Sequence, residues 1–163
     1  MIETSQQTYL IAAAVVVLGL TILVFFAQEG ISTSKLYQQG VTLYQDKNYQ
    51  EAEVAFRQVL TRHPSNDLVR LLLGDVLMQQ DQLEDATAQF TELINRTSKN
   101  GDAYLRLGIA LLKQDKSEDA TAAFSKARDL FKVQRNPQKA DQIAQLLQQM
   151  NESRSEDKDE AKG

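Results

Sequence analysis

Few side chains in this chain suit bond-making chemistry. Its single histidine, His63, is followed by Pro64 in a turn between two helical stretches. An imidazole there lacks the second base, nucleophile or ligand that general acid–base catalysis or metal binding requires. The chain has no cysteine, which removes thiolate nucleophiles, disulfides and cysteine metal sites. No glycine-rich phosphate loop or serine elbow is present. The carboxylates are scattered along helix surfaces, mostly near lysines or glutamines. None is paired in an apolar setting of the kind that shifts a pKa for catalysis. The sequence therefore predicts no catalytic residue, no metal, no cofactor and no enzyme. A net charge of -4 with a pI of 5.1 also lacks the basic face that nucleic acid binding needs.

A different set of residues recurs with regular spacing. Gly40, Gly74 and Gly108 stand 34 positions apart, as do Ala52, Ala86 and Ala120, and Phe56, Phe90 and Phe124. These types are chosen for size, so what they offer is close packing. A 34-residue period is that of helix–turn–helix solenoids. The glycines set repeats at 33–66, 67–100 and 101–134, within a repeat domain at 34–134. First helices are predicted near 34–46, 67–80 and 101–114, and second helices near 50–62, 83–95 and 117–131. Polar turns separate them at Asp46-Lys47-Asn48, Asp81-Gln82 and Asp115-Lys116. Each second helix opens on a triplet ending in alanine: Gln50-Glu51-Ala52, Glu84-Asp85-Ala86 and Glu118-Asp119-Ala120. Acidic residues there suit the positive end of the helix dipole. Small residues let two helices cross closely, and the phenylalanine is expected to fill the gap between one hairpin and the next. Leu36, Leu43, Leu73, Leu77, Tyr104, Leu107 and Leu111 complete the apolar faces.

The pattern resembles the tetratricopeptide repeat, over about 33–134. Gln39 and Arg70 depart from it, standing where a large apolar residue is usual. The resemblance implies an all-α solenoid that binds proteins on a concave face lined by first helices. By position this face holds Tyr37, Val41, Tyr44 and Gln45 in repeat one, then Leu71, Asp75, Met78 and Gln79 in repeat two. Repeat three contributes Leu105, Arg106, Ile109, Leu112 and Lys113. Tyr37, Leu71 and Leu105 suit core and groove equally, whereas Tyr44, Met78 and Lys113 are expected to be exposed. The family's carboxylate clamp for chaperone tails needs Lys and Asn where Tyr37 and Val41 stand, and Asn at Leu72. Only Arg106 matches, so chaperone C-terminal tails are not the expected partner. An apolar or amphipathic protein segment is.

Beyond the repeats, Pro137 opens a predicted capping helix at 137–150, with Ile143, Leu146, Leu147 and Met150 at helical spacing. The charged tail 151–163 is expected to be disordered. After a short tail at 1–8, residues 9–27 are nearly all apolar and uncharged. Nineteen residues give roughly 28 Å of helix, close to bilayer thickness, and so predict a single membrane span. Residues 28–33 then form a linker in which Gly30 breaks the helix. Charge bias places the repeats on the cytoplasmic or stromal side. One span with three repeats is similar in architecture to photosystem I assembly proteins and to translocon-associated repeat proteins. That likeness implies an assembly or accessory factor for a membrane complex, possible in thylakoids, or a permanent structural subunit of one.

Overall fold

The computed structural model describes the backbone over residues 3–160 and the side chains of 12–21, 23 and 33–155. Seven helices occupy the described residues: α1 (Glu3–Gln45), α2 (Tyr49–Arg62), α3 (Asp67–Gln79), α4 (Leu83–Arg96), α5 (Gly101–Lys113), α6 (Ser117–Val133) and α7 (Pro137–Glu160). Each packs against the next in chain order. The end of α1 with α2, α3 with α4, and α5 with α6 form three hairpins, and α7 covers α6. The helices recur at the period of the glycines, with α2, α4 and α6 opening at 49, 83 and 117 and α3 and α5 at 67 and 101.

Glycine and phenylalanine explain the closeness of each hairpin. A Cβ added at Gly40 would lie 2.7 Å from the Phe56 ring, at Gly74 2.3 Å from Phe90, and at Gly108 2.6 Å from Phe124. All three rings are fully buried, as are Ala52, Ala86 and Ala120. Each ring thus lies against the glycine of its own hairpin, a tighter arrangement than the expected filling of the gap to the next one. Burying such a ring contributes about 1.5–3 kcal/mol. Two apolar clusters result. One runs from Phe56 through Leu73 and Leu77 to Phe90, and the other from Phe124 through Phe131 to Ile143 and Leu147 of α7.

The turns repeat as faithfully as the core. In the first hairpin the N–H of Asn48 donates to the Leu43 carbonyl, and that of Lys47 to Tyr44. This crossed pair closes the helix with Lys47 in the left-handed region. Asp81, Asp115 and Arg135 occupy the same place in the later turns. Helix starts have their own repeat. The Asn66, Asn100 and Asn136 side chains accept from the N–H groups of Val69, Ala103 and Lys139, three residues on.

Several expectations at the two ends need correction. Among the described residues no helix is long and apolar enough to cross a membrane, so the span at 9–27 and the membrane localisation do not stand. Within 9–27, the side chains other than 12–21 and Leu23 lie outside the description. No separate linker exists at 28–33, where α1 is continuous through Gly30. A lone glycine costs a helix interior only about 1 kcal/mol, and extending a helix is cheaper than nucleating one. Residues 3–8 of the expected tail are likewise in α1, and 1–2 lie outside the description. At the other end, 151–160 is helix rather than disordered chain, and 161–163 lie outside the described residues. The packed part of α7 nucleates this extension. Gln148 then donates to Glu152, and Arg154 pairs with Glu118 of α6.

Two outcomes test this account by chemical denaturation. Gly74→Ala forces a methyl into the Phe90 ring and is expected to lose about 1–3 kcal/mol, whereas Gly19→Ala, which meets nothing within 4 Å, loses none. Lys47→Gly relieves a left-handed backbone and is expected to gain on the order of 0.5–1 kcal/mol after the added flexibility of the unfolded chain is subtracted.

Candidate protein-binding face

The first helices α1, α3 and α5 stand side by side with α7 as a fourth member. The asparagine caps fix the register: Asn136 occupies the place of Asn66 and Asn100, so α7 begins as a first helix would. Contacts across the row confirm the order. Arg106 Nε of α5 donates to both carboxylate oxygens of Asp75 on α3, at 2.7 and 2.8 Å. Asp102 of α5 takes Lys139 Nζ of α7 at 2.7 Å and stands 3.7 Å from Arg106 Nη1. On α1, Tyr44 feels the Asp75 charge and lies 5.8 Å, ring to ring, from Tyr49.

The expected site residues separate by exposure along this row. Gln45, Gln79 and Lys113 are exposed, and so are Ile109 at 38% and Leu112 at 37%. Tyr37, Val41, Tyr44, Leu71, Leu105 and Arg106 are half-buried. Met78 is buried at 8% exposure instead of presented to solvent, because it packs into the first apolar cluster with Leu77 and Leu83. Asp75 is also buried, at 9%. The residues accessible on the face are therefore Gln45, Gln79 and Lys113, the tyrosines, Val41, Leu71 and Leu105, the pair Ile109 and Leu112, and part of Arg106.

Burial pushes the Asp75 carboxyl above its ordinary 3.8, against the lowering effect of Arg106 and its hydrogen bonds. The Tyr44 hydroxyl is raised as well, mainly by burial and then by the neighbouring Asp75 charge.

On the other side, the second helices α2, α4 and α6 carry charges such as Glu53 paired with Arg57. Arg70 departs from the usual apolar type without exposing the core. Its side chain is buried, donating from Nη1 to Gln89 and from Nη2 to the Pro64 carbonyl, with Glu92 2.7 Å away. His63 is exposed and closes α2 through its backbone N–H. Among the described residues no three His, Asp or Glu side chains gather as metal ligands.

Two families of contact were not anticipated. The asparagine caps were announced by Asn66 and Asn100 standing 34 apart. So were the inter-repeat clamps. Gln80 Nε2 donates to Glu53 at 2.8 Å and reaches the Tyr49 carbonyl at 3.5 Å, while Gln114 Nε2 donates to the Leu83 carbonyl at 2.9 Å. Donors and acceptors both recur at the period of the glycines.

Two tetratricopeptide repeat family models match the sequence, one over residues 43–98 and one over 71–140, together more than half of the chain. The chain belongs to the tetratricopeptide repeat family. No curated protein matches it. Solved tetratricopeptide-type structures resemble it closely in shape. MamA from residue 41 onward, of Desulfovibrio magneticus RS-1, has 22% identity and a TM-score of 0.58, covering 74% of this chain and 76% of its own. The TPR2B domain of yeast Sti1, solved in a pHsp70 complex, has 17% identity and a TM-score of 0.69, covering 74% and 97%. The type III secretion translocator chaperone SycD of Yersinia enterocolitica has 16% identity and a TM-score of 0.70, covering 75% and 93%. At such identities the likeness is one of fold. It shows a tetratricopeptide fold and gives no support to an anchor or a photosystem role.

The raised Asp75 fixes a sign for pH dependence. The folded state holds this proton more tightly than the unfolded chain, so its contribution to stability is full below pH 3.8 and is lost as pH rises through the higher folded value. In urea titrations across acid pH, the stability of the protein relative to Asp75→Asn is expected to fall as pH rises above that point.

Proposed function

We propose that the face of the first helices is a binding groove for an apolar or amphipathic segment of another protein, and that the chain acts as an assembly or accessory factor for a multi-subunit complex. The observation that carries this reading is the exposure of Ile109 and Leu112 on α5. They stand in a row with half-buried Val41, Leu71 and Leu105, on a scaffold whose opposite helices present charge. A row of apolar side chains along one face offers a partner a continuous surface, which a singly exposed residue such as Val133 does not. The fold supports the reading further, since the similar structures include a translocator chaperone and a domain solved in complex with pHsp70. The membrane setting and the photosystem role rested on the span at 9–27 and are not part of this proposal.

Ile109→Asp with Leu112→Asp places two charges in the groove at positions that are already exposed, so the fold is expected to survive. Affinity purification of the tagged full-length protein from its own cells is expected to lose its partners at least about tenfold, with the helical circular dichroism unchanged. Val133→Asp, at an 81% exposed position outside the groove, is expected to keep them. Equal recovery with all three proteins would overturn the groove assignment.

A further inference from the structure

Four charged side chains at the middle of the candidate groove cancel one another, while Lys113 is exposed at the end of α5 and makes no ion pair among the described residues. Asp75 is taken by Arg106, and Asp102 by Lys139, with Arg106 Nη1 3.7 Å from the same Asp102. Two carboxylates and two cations leave a net charge of zero across the three helices they join. Arg106 in particular is not a free cation. Its Nε is committed to both oxygens of a buried carboxylate, and a second carboxylate stands near its Nη1. Yet the Arg106 side chain is 28% exposed, and among the described residues its Nη2 makes no hydrogen bond or ion pair. An arginine held in this way has N–H groups left to donate without a surplus positive charge. A ligand carboxylate brought to it would meet Asp75 and Asp102 as well, and like charges at such distances repel. A backbone carbonyl, amide or hydroxyl would meet only the donors.

The neighbouring side chains point to the same kind of ligand. Apolar groups flank Arg106, with Leu105 half-buried beside it and Ile109 and Leu112 exposed further along α5. On α7, the register set by Asn136 puts Gln142 and Gln145 at the places that Arg106 and Ile109 hold on α5, and both are exposed. Gln45 and Gln79 are exposed at the ends of α1 and α3. Amides and arginine N–H groups can pair with an extended backbone, whereas a helix has already used its own.

We propose, on the basis of the groove reading above, that the partner segment is an uncharged extended peptide. Its apolar side chains lie against Val41, Leu105, Ile109 and Leu112, and it presents a neutral acceptor to Arg106. Four helices at about 10 Å intervals span some 30 Å, which about nine extended residues cover. Asp75 is the positioning residue: it orients Arg106 and cancels its charge. Binding to such a site is insensitive to salt and disfavours an anionic end.

The test uses two synthetic nine-residue peptides of alternating leucine and serine with one central tryptophan, both acetylated, one amidated and one ending in a free carboxylate. The protein has no tryptophan, so peptide fluorescence reads binding to the full chain directly. The amidated peptide is expected to bind about tenfold more tightly than the carboxylate form. Its affinity is expected to stay within about twofold between 50 mM and 500 mM salt. Asp75→Asn, with folding checked by circular dichroism, is expected to narrow or reverse the preference by leaving Arg106 uncompensated. Tighter binding of the carboxylate peptide, or an affinity that falls steeply with salt, would overturn the neutral-acceptor assignment while leaving the groove in place. The salt measurement needs no variant and so stands even if Asp75→Asn misfolds. If neither peptide binds, or if Ile109→Asp with Leu112→Asp binds both as well as the parent does, the groove itself is wrong and this inference goes with it.

Discussion

The structure depends on one contact made three times: an aromatic ring seated on a glycine of the facing helix. At Gly40, Gly74 and Gly108 the ring occupies the space that any side chain would need. That approach sets the distance between the two helices of a hairpin. With this distance fixed, the alanines at 52, 86 and 120 must also be small, and the leucines at 73 and 77 must fill what remains. The hairpins then stack with their first helices in one row. Every property of the candidate groove, including which side chains are offered to a partner, follows from that row.

Within the row, burial and pairing have opposite effects at Asp75. A carboxylate at 9% exposure is costly to ionise, and the ordinary outcome is protonation or a partner. Arg106 supplies the partner with a two-point hydrogen bond, but desolvation still prevails and the group holds its proton above the usual value. The pair is thus weak evidence for stability and better evidence for orientation. It fixes a cation at a chosen place on the face and cancels its field there. Arg70 shows another solution on the same helix, where a guanidinium is buried by giving its Nη groups to Gln89, Pro64 and Glu92, with its Nε left unpaired among the described residues.

Size and spacing made the repeats legible in the sequence. Glycine, alanine and phenylalanine at 34-residue intervals determine the hairpins through sterics alone, and sterics tolerates little substitution. The ends were less legible because helix boundaries depend on propagation as much as on local preference. Gly30 reads as a break, yet the helices on both sides of it are already formed and join through it. Residues 151–160 read as disordered by composition, yet they continue a helix whose packed part lies earlier. The apolar run at 9–27 was judged by hydropathy and length, whereas no described helix meets both criteria. The position of Met78 late on α3 suggests exposure, whereas its flexible chain packs with Leu77 in the core. The asparagine caps and glutamine clamps were present at the same period. They were overlooked because polar residues carry no hydrophobic pattern.

The glutamine clamps bear on how the array yields to load. Gln80 and Gln114 tie successive hairpins at the turn edge, and Asp75 with Arg106 ties them on the face of the first helices. Both ties are polar and span neighbours only, and they stand at the margins of an apolar cluster that runs from Phe56 in one hairpin to Phe90 in the next. The ring-on-glycine contacts lie inside each hairpin and leave its width fixed. A load on the stack therefore meets an apolar seam at each interface with a polar tie on either margin, so that prising two hairpins apart must break both kinds of contact together.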